Sequence, residues 1–269
     1  MPRQGPKQGK HEAKKARKSD VSFNDFIVAA MDCRLKVGSA EQKYAKELLD
    51  AAKSNVRSCR ILHDQQQYAE SIFLLEQAAE KTDKSLLLAA GLFNINDLMK
   101  VGHDAFKASN LALERGAPLG DFMSSLDPRS DDPDSVRIRG RTPAEIARAS
   151  ESSIMATVTE GEEYAREYFV SIHDWLKKQK GTIQVGEGVR KRIESLDLFT
   201  EAIIWYSVCV TITHYTSVHA VSARYPGKLG PKDYTTSLGI VAATPRLSVI
   251  VERAIAGLEE SMPRFFTSD

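Results

Sequence analysis

The sequence is poor in cysteine and in aromatic residues, and it carries no excess of either charge. Its three cysteines, Cys33, Cys59 and Cys209, are odd in number, widely spread and never in CxxC spacing. That pattern speaks against a disulfide framework and a cysteine-based zinc site, and it reads as reduced thiols in a cytoplasmic protein. Apolar runs are short as well. The longest nearly apolar stretch, residues 202–213, falls below the roughly 18 residues that a bilayer crossing needs. The N-terminus lacks the apolar segment of a secretory signal. No period-two alternation marks a strand, and no internal repeat is visible. No cofactor, metal or membrane partner is implied.

Lysine plus arginine number 37 and aspartate plus glutamate 36, a net +1 that excludes a uniformly basic nucleic-acid binder. The charge is unevenly placed. Residues 1–18 hold seven Lys/Arg against one acid, a balance of +6, which leaves 30 basic and 35 acidic residues elsewhere. Residues 1–20 therefore read as a disordered basic arm, either a solubilising tail or a contact for phosphates without sequence specificity. Residues 21–269 read as a single all-α domain, a bundle of long antiparallel helices.

Helical periodicity supports that class. Ser22 with Asp25 opens a short helix, and Ser39-Ala-Glu-Gln42 reads as a capping box. Behind it Ala45, Leu49, Ala52, Val56, Cys59 and His63 recur at steps of three and four, one stripe running to about Gln66. A second helix spans about 68–92, with Ile72, Leu75, Ala79, Leu86 and Ala90 inward and an end near Gly91. A third is expected over 96–115. Residues 116–141 form a Pro/Gly/Asp-rich inserted connection. Thr142-Pro143-Ala-Glu145 restarts a helix to about Gln179, whose inner face is Ile154, Val158, Ala165, Tyr168, Ile172 and Leu176. The glycines of 181–188 break it. A helix over 189–222, apolar nearly all round, is expected to be the most buried element. After a loop over 223–233, Thr244-Pro245 is expected to cap a last helix facing inward with Leu247, Ile250, Ala254, Leu258 and Met262.

The stretch YAESIFLLEQAAEKTDKSLLLAAG (68–91), followed by Gly102-His103-Asp104 and, near the C-terminus, by Ala223-Arg-Tyr-Pro226, resembles the HEPN superfamily of helical domains. It looks closest to the AbiV-like, abortive-infection branch. The resemblance covers roughly 40–110 and, more weakly, 190–262. It implies a defence or toxin-type protein acting on RNA or the translation apparatus, in one of two forms. One is a metal-independent endoribonuclease whose cleft is shared across a homodimer. The other is a non-catalytic helical module that binds RNA or a protein partner such as a phage protein or cognate antitoxin.

The mark of an active member is an arginine followed, after four to six residues, by a histidine. An arginine holds phosphate and its developing charge, while a near-neutral histidine moves the 2′-hydroxyl proton. Arg166 and His173 have that spacing, with Glu167 after the arginine, and a separation of seven brings them within about 20° on a helix. They are the candidate catalytic residues. The motif departs from the family pattern in lying deep in a helix and in lacking an asparagine. Arg57 and His63 also match, but they diverge by about 120°, so His63 reads as a buried or interface histidine. Arg57, Arg60, Lys84, Arg190 and Arg192 are candidates for phosphate contact, although Arg57 and Arg60 fit an ordinary solvated face equally. Glu80 and His103 are candidate positioning residues. Glu76, Glu80 and Lys84, at steps of four, read either as a helix-stabilising row or as the wall of a groove. His214 and His219, five apart, do not make a metal pair and read as core or capping residues.

Overall fold

The computed structural model describes residues 37–103, 107, 108, 111, 143–180, 204–220 and 233–266, with the backbone alone at 143, 164, 168, 169 and 171–180. The basic arm, the helix expected after Ser22, the 116–141 connection, the glycine-rich 181–188 segment and the Ala223–Pro226 motif lie outside these residues. Among the described residues there is no strand. The elements are α1 (Ser39–Asp64), α2 (Tyr68–Ala89), α3 (Ile95–Val101), α4 (Pro143–Ala147), α5 (Glu151–Lys180), α6 (204–220) and α7 (Gly239–Phe266). None of these helices is long and apolar enough to cross a membrane.

The stripe Ala45, Leu49, Ala52, Val56 and Cys59 is buried in α1 and packs along α2. Two hydroxyls pin this antiparallel pair: Ser85 Oγ donates to the Ala45 carbonyl at 2.7 Å, and Ser71 Oγ to the Cys59 carbonyl at 3.0 Å. Helix α2 stops where the glycine predicted. Gly91 takes the left-handed backbone (φ 69°), Leu92 N–H reaches the Leu87 carbonyl and Gly91 N–H the Leu88 carbonyl, the pairing of a Schellman cap.

Helix α7 lies antiparallel to α1, joined by Arg60 on Glu252, Lys53 on Glu259 and Lys46 over the Phe266 ring. It also packs on α2 and α5. Helix α6 runs antiparallel to α5 and α7. Tyr215 Oη donates to Thr157 Oγ1 at 3.0 Å, and Trp205 lies so close to Gly257 that a Cβ there would meet Nε1 at 2.6 Å. These helices enclose one core, in which Ile72, Leu75, Ile154, Ile212, Leu247 and Leu258 are fully buried.

Four local expectations are corrected. The N-cap of α1 is Gly38 with no side-chain cap; Ser39 is already helical, and Gln42 instead donates to the Val37 carbonyl. The third helix stops at Val101 because Gly102 adopts φ 56°, the described residues 107, 108 and 111 being helical again, and its capping box is Asn94 with Asp97, each side chain bonded to the other's backbone N–H. The helix expected from Pro143 to Gln179 is interrupted at 148–150, where Ser150 Oγ accepts the Ser153 N–H and starts α5 anew. Pro245 does not cap the last helix but lies inside it. The helix expected over 189–222 is described only at 204–220, where ten of 17 residues are buried, and α2 has sixteen of 22 buried. Helices α1, α6 and α7 all draw on its surface, which polar side chains share with leucine and alanine.

Candidate functional site

Helix α2 buries polar groups that the bundle then has to satisfy. Glu76, Glu80 and Asp83 recur at i, i+4 and i+7, so one strip of a buried helix carries three carboxyl groups. Glu80 is the hub. Its carboxylate accepts from Lys84 Nζ one turn later, from Gln77 Nε2 at 3.1 Å and from His103 Nδ1 at 3.0 Å. Gln77 Nε2 also donates to Glu76 at 2.7 Å, and Lys84 Nζ to the Gly102 carbonyl. The left-handed Gly102 turns the chain after α3 back over α2, which is how His103 arrives 23 residues from its partner. The Glu80 side chain is 5% exposed, that of Lys84 13% and that of His103 79%. A buried carboxylate thus holds an imidazole that stays in water.

Asp83 sits one strip position further on. It is buried, its Oδ1 has no hydrogen-bond partner among the described residues, and burial raises its pKa well above the usual carboxylate range, helped by the negative Glu80. The Cys209 thiol on α6 is likewise pushed well up, by burial first and then by Asp83. Cys59 is raised to about 11 by burial. Both are inert buried thiols rather than nucleophiles. Lys81, half-buried on the same helix, has its pKa lowered, chiefly by burial.

On α5, Arg166 is fixed from two sides. Its Nε and Nη2 donate to Glu162 Oε1 at 3.1 and 2.8 Å, and its guanidinium lies 5.6 Å from the centre of the Trp205 ring. The side chain is still 48% exposed. Helix α5 is unbroken from Glu151 to Lys180, so positions 166 and 173 share a face, roughly 10 Å apart along the axis. The His173 side chain lies outside the described residues. Glu167 is exposed on the adjoining flank with Glu160 and Glu163.

The remaining candidates divide. Arg57 is exposed on α1. Arg60 is engaged in a two-point ion pair with Glu252 at 2.8 and 2.7 Å and with Ser248 Oγ at 3.1 Å, a tie between α1 and α7. Arg190 and Arg192 lie outside the described residues. His63 is half-buried, with Nε2 on the Val241 carbonyl and its ring edge-on to Tyr68. His219 is buried, and burial lowers its pKa to about 4. His214 is lowered for the same reason.

The structure therefore gathers Glu80, Lys84 and His103 into one cluster, and no hydrogen bond or ion pair among the described residues joins Arg166 to it. Lys84 is turned inward, which suits it to positioning rather than to phosphate contact. Gln77 and the Gly102 carbonyl complete the cluster without any signal in the sequence, since a glutamine and a backbone oxygen fit any helical row. Among the described residues, no three His, Cys, Asp or Glu side chains gather to hold a metal. Comparison with protein-family models, with curated proteins and with solved structures finds no match for this chain, so its site is read from geometry alone.

Proposed function

We propose that the chain is a HEPN-like, AbiV-related defence or toxin-type protein that acts on RNA as a metal-independent endoribonuclease and works as a homodimer. One observation carries the reading: α5 is continuous, so Arg166 and position 173 fall on one face, with Arg166 oriented by Glu162 and Trp205 before any ligand arrives. A preset guanidinium binds a phosphate at little ordering cost. His173 then takes the 2′-hydroxyl proton and returns it to the leaving oxygen. The antiparallel pair α1–α2 packed on α7 is compatible with the bundle of long antiparallel helices expected from the sequence.

The test is cleavage of a mixed-sequence RNA in EDTA by wild type, Arg166→Ala and His173→Ala. Loss of a general acid–base group costs about 10²–10⁴-fold. Equal cleavage by all three would remove α5 as the reaction centre.

A second reading, a non-catalytic module for a protein partner, draws on a different observation. Val170 lies between positions 166 and 173 on the same face and is 60% exposed, and the flank beside it carries Glu160, Glu163 and Glu167. An apolar centre with an acidic border fits protein better than phosphate. If growth arrest on expression survives His173→Ala and disappears in Val170→Asp, this reading replaces the first.

A further inference from the structure

We infer that Arg166, backed by Trp205, is a stacking platform for one unpaired nucleobase of an RNA ligand. The inference rests on the RNA reading above and deepens it with a base-binding subsite on α5; it asks nothing of His173.

The platform is built from three helices. Trp205 of α6 is half-buried, and Gly257 of α7 makes room for its indole: a Cβ at 257 would fall 2.6 Å from Nε1 and 3.1 Å from Cε2. No larger residue at 257 leaves the ring where it is. Arg166 of α5 then lies over the indole, 5.6 Å from the ring centre, while Glu162 takes its Nε and Nη2 at 3.1 and 2.8 Å. Glu162 thus holds the guanidinium by one edge, and Trp205 supports it from the α6 side. Its outer side is open. The side chain is 48% exposed and makes no other contact among the described residues.

Covering the indole asks only for an apolar side chain. An arginine adds a planar face, which water hydrates weakly and on which bases stack, and in-plane donors. The ion pair with Glu162 carries no net charge, so the face is better suited to a neutral π-system than a free cation would be. Nη1 keeps both its hydrogens for the phosphate of the same nucleotide. Val170, one turn later on the same face and 60% exposed, extends the surface with an apolar side chain. A base has apolar faces and polar edges, and guanidinium with valine meets its faces. In a duplex those faces are covered by neighbouring pairs, so the ligand is a single strand.

The test measures binding, so that cleavage does not enter. The probe is a fluorescein-labelled hexamer of 2′-O-methyl RNA, which lacks the hydroxyl that the reaction needs. It is compared with versions abasic at each position in turn and with a duplex of the same sequence. Affinities are read by anisotropy at one salt concentration for wild type, Arg166→Lys, Trp205→Leu and Trp205→Phe. One abasic position is expected to lose about ten-fold in affinity, and the duplex at least as much. Arg166→Lys keeps the charge but not the plane. It is expected to bind the intact hexamer as weakly as wild type binds that abasic probe, with no further loss when both changes are combined.

Trp205 is a positioning residue acting through Arg166. Trp205→Leu is expected to shrink the abasic penalty and Trp205→Phe to keep it, a difference that lost stability alone does not produce. Trp205 is half-buried, so its leucine variant can lose the fold; Arg166→Lys, at the surface, carries the decisive comparison. If wild type binds the hexamer but no abasic position matters, or Arg166→Lys binds every probe as wild type does, the platform is overturned and the RNA reading stands. If wild type does not bind the hexamer, the platform falls; if it also leaves unmodified RNA uncut, the RNA reading falls with it.

Discussion

His63 Nε2 donates to the carbonyl of Val241 at 3.1 Å, and that carbonyl is the one Pro245 leaves without its helical donor four residues on. A proline inside α7 is thus tolerated because a side chain from α1 supplies the missing N–H. His63→Ala leaves a buried carbonyl unpaired, a cost of about 1–3 kcal/mol. In a Pro245→Ala background the backbone N–H returns, so the same histidine change costs less. A double-mutant cycle on urea midpoints checks this, and additive effects would contradict it.

Asp83 makes the fold less stable as pH rises above the ordinary carboxylate range. Its pKa is raised in the folded chain above the ordinary 3.8 by burial and by Glu80, so the native state holds a proton that the unfolded chain releases. The resulting stabilisation is whole below the unfolded value and is lost as pH rises toward the folded one. Asp83→Asn keeps the shape and cannot ionise. Urea titrations at pH 4 and pH 8 are expected to show the variant gaining on wild type at the higher pH; an equal difference at both would refute the assignment.

His219 acts in the opposite direction. Burial lowers its pKa from 6.5 to about 4, and Tyr234 closes over it, edge-on to the ring with its hydroxyl on the His219 carbonyl at 3.0 Å. The unfolded chain takes up a proton that the native state refuses. Stability is therefore complete above 6.5 and falls as pH drops toward 4, by up to roughly 3 kcal/mol. His219→Leu is expected to flatten the melting temperature over that window, whatever its effect at pH 8.

Gly239, the first residue of α7, meets the turn before α5. A Cβ at this position would fall 2.1 Å from the Ala149 carbonyl oxygen and 2.7 Å from the Ser150 carbonyl carbon. Both are backbone atoms, which cannot swing aside as a side chain end would. Gly239→Ala is expected to cost about 1–3 kcal/mol as the two segments separate, read as a lower urea midpoint. An unchanged midpoint would mean that the segments part freely.

The helices were legible wherever the signal is local. The stripe from Ala45 to Cys59 and the alternation of Ile72, Leu75, Ala79 and Leu86 are periodic within one element, and Gly91 stops α2 because only a residue without Cβ takes that backbone easily. Boundaries failed where two local rules compete. Ser39 and Asn94 both head plausible capping boxes, and only the second bonds as one; Thr244-Pro245 has the form of a helix start but lies within α7.

By itself the sequence determined an all-helical chain, its hydrophobic stripes and the residue types from which a phosphate-handling site can be made. Tertiary structure decided which of those residues meet. Arg60 faces Glu252 across 192 positions and ties two helices, whereas His103 reaches Glu80 across 23 and keeps most of its ring in water. The reason is physical: spacing along a helix fixes which face a side chain shares, but a carboxylate's partners are chosen by which helices the core draws together.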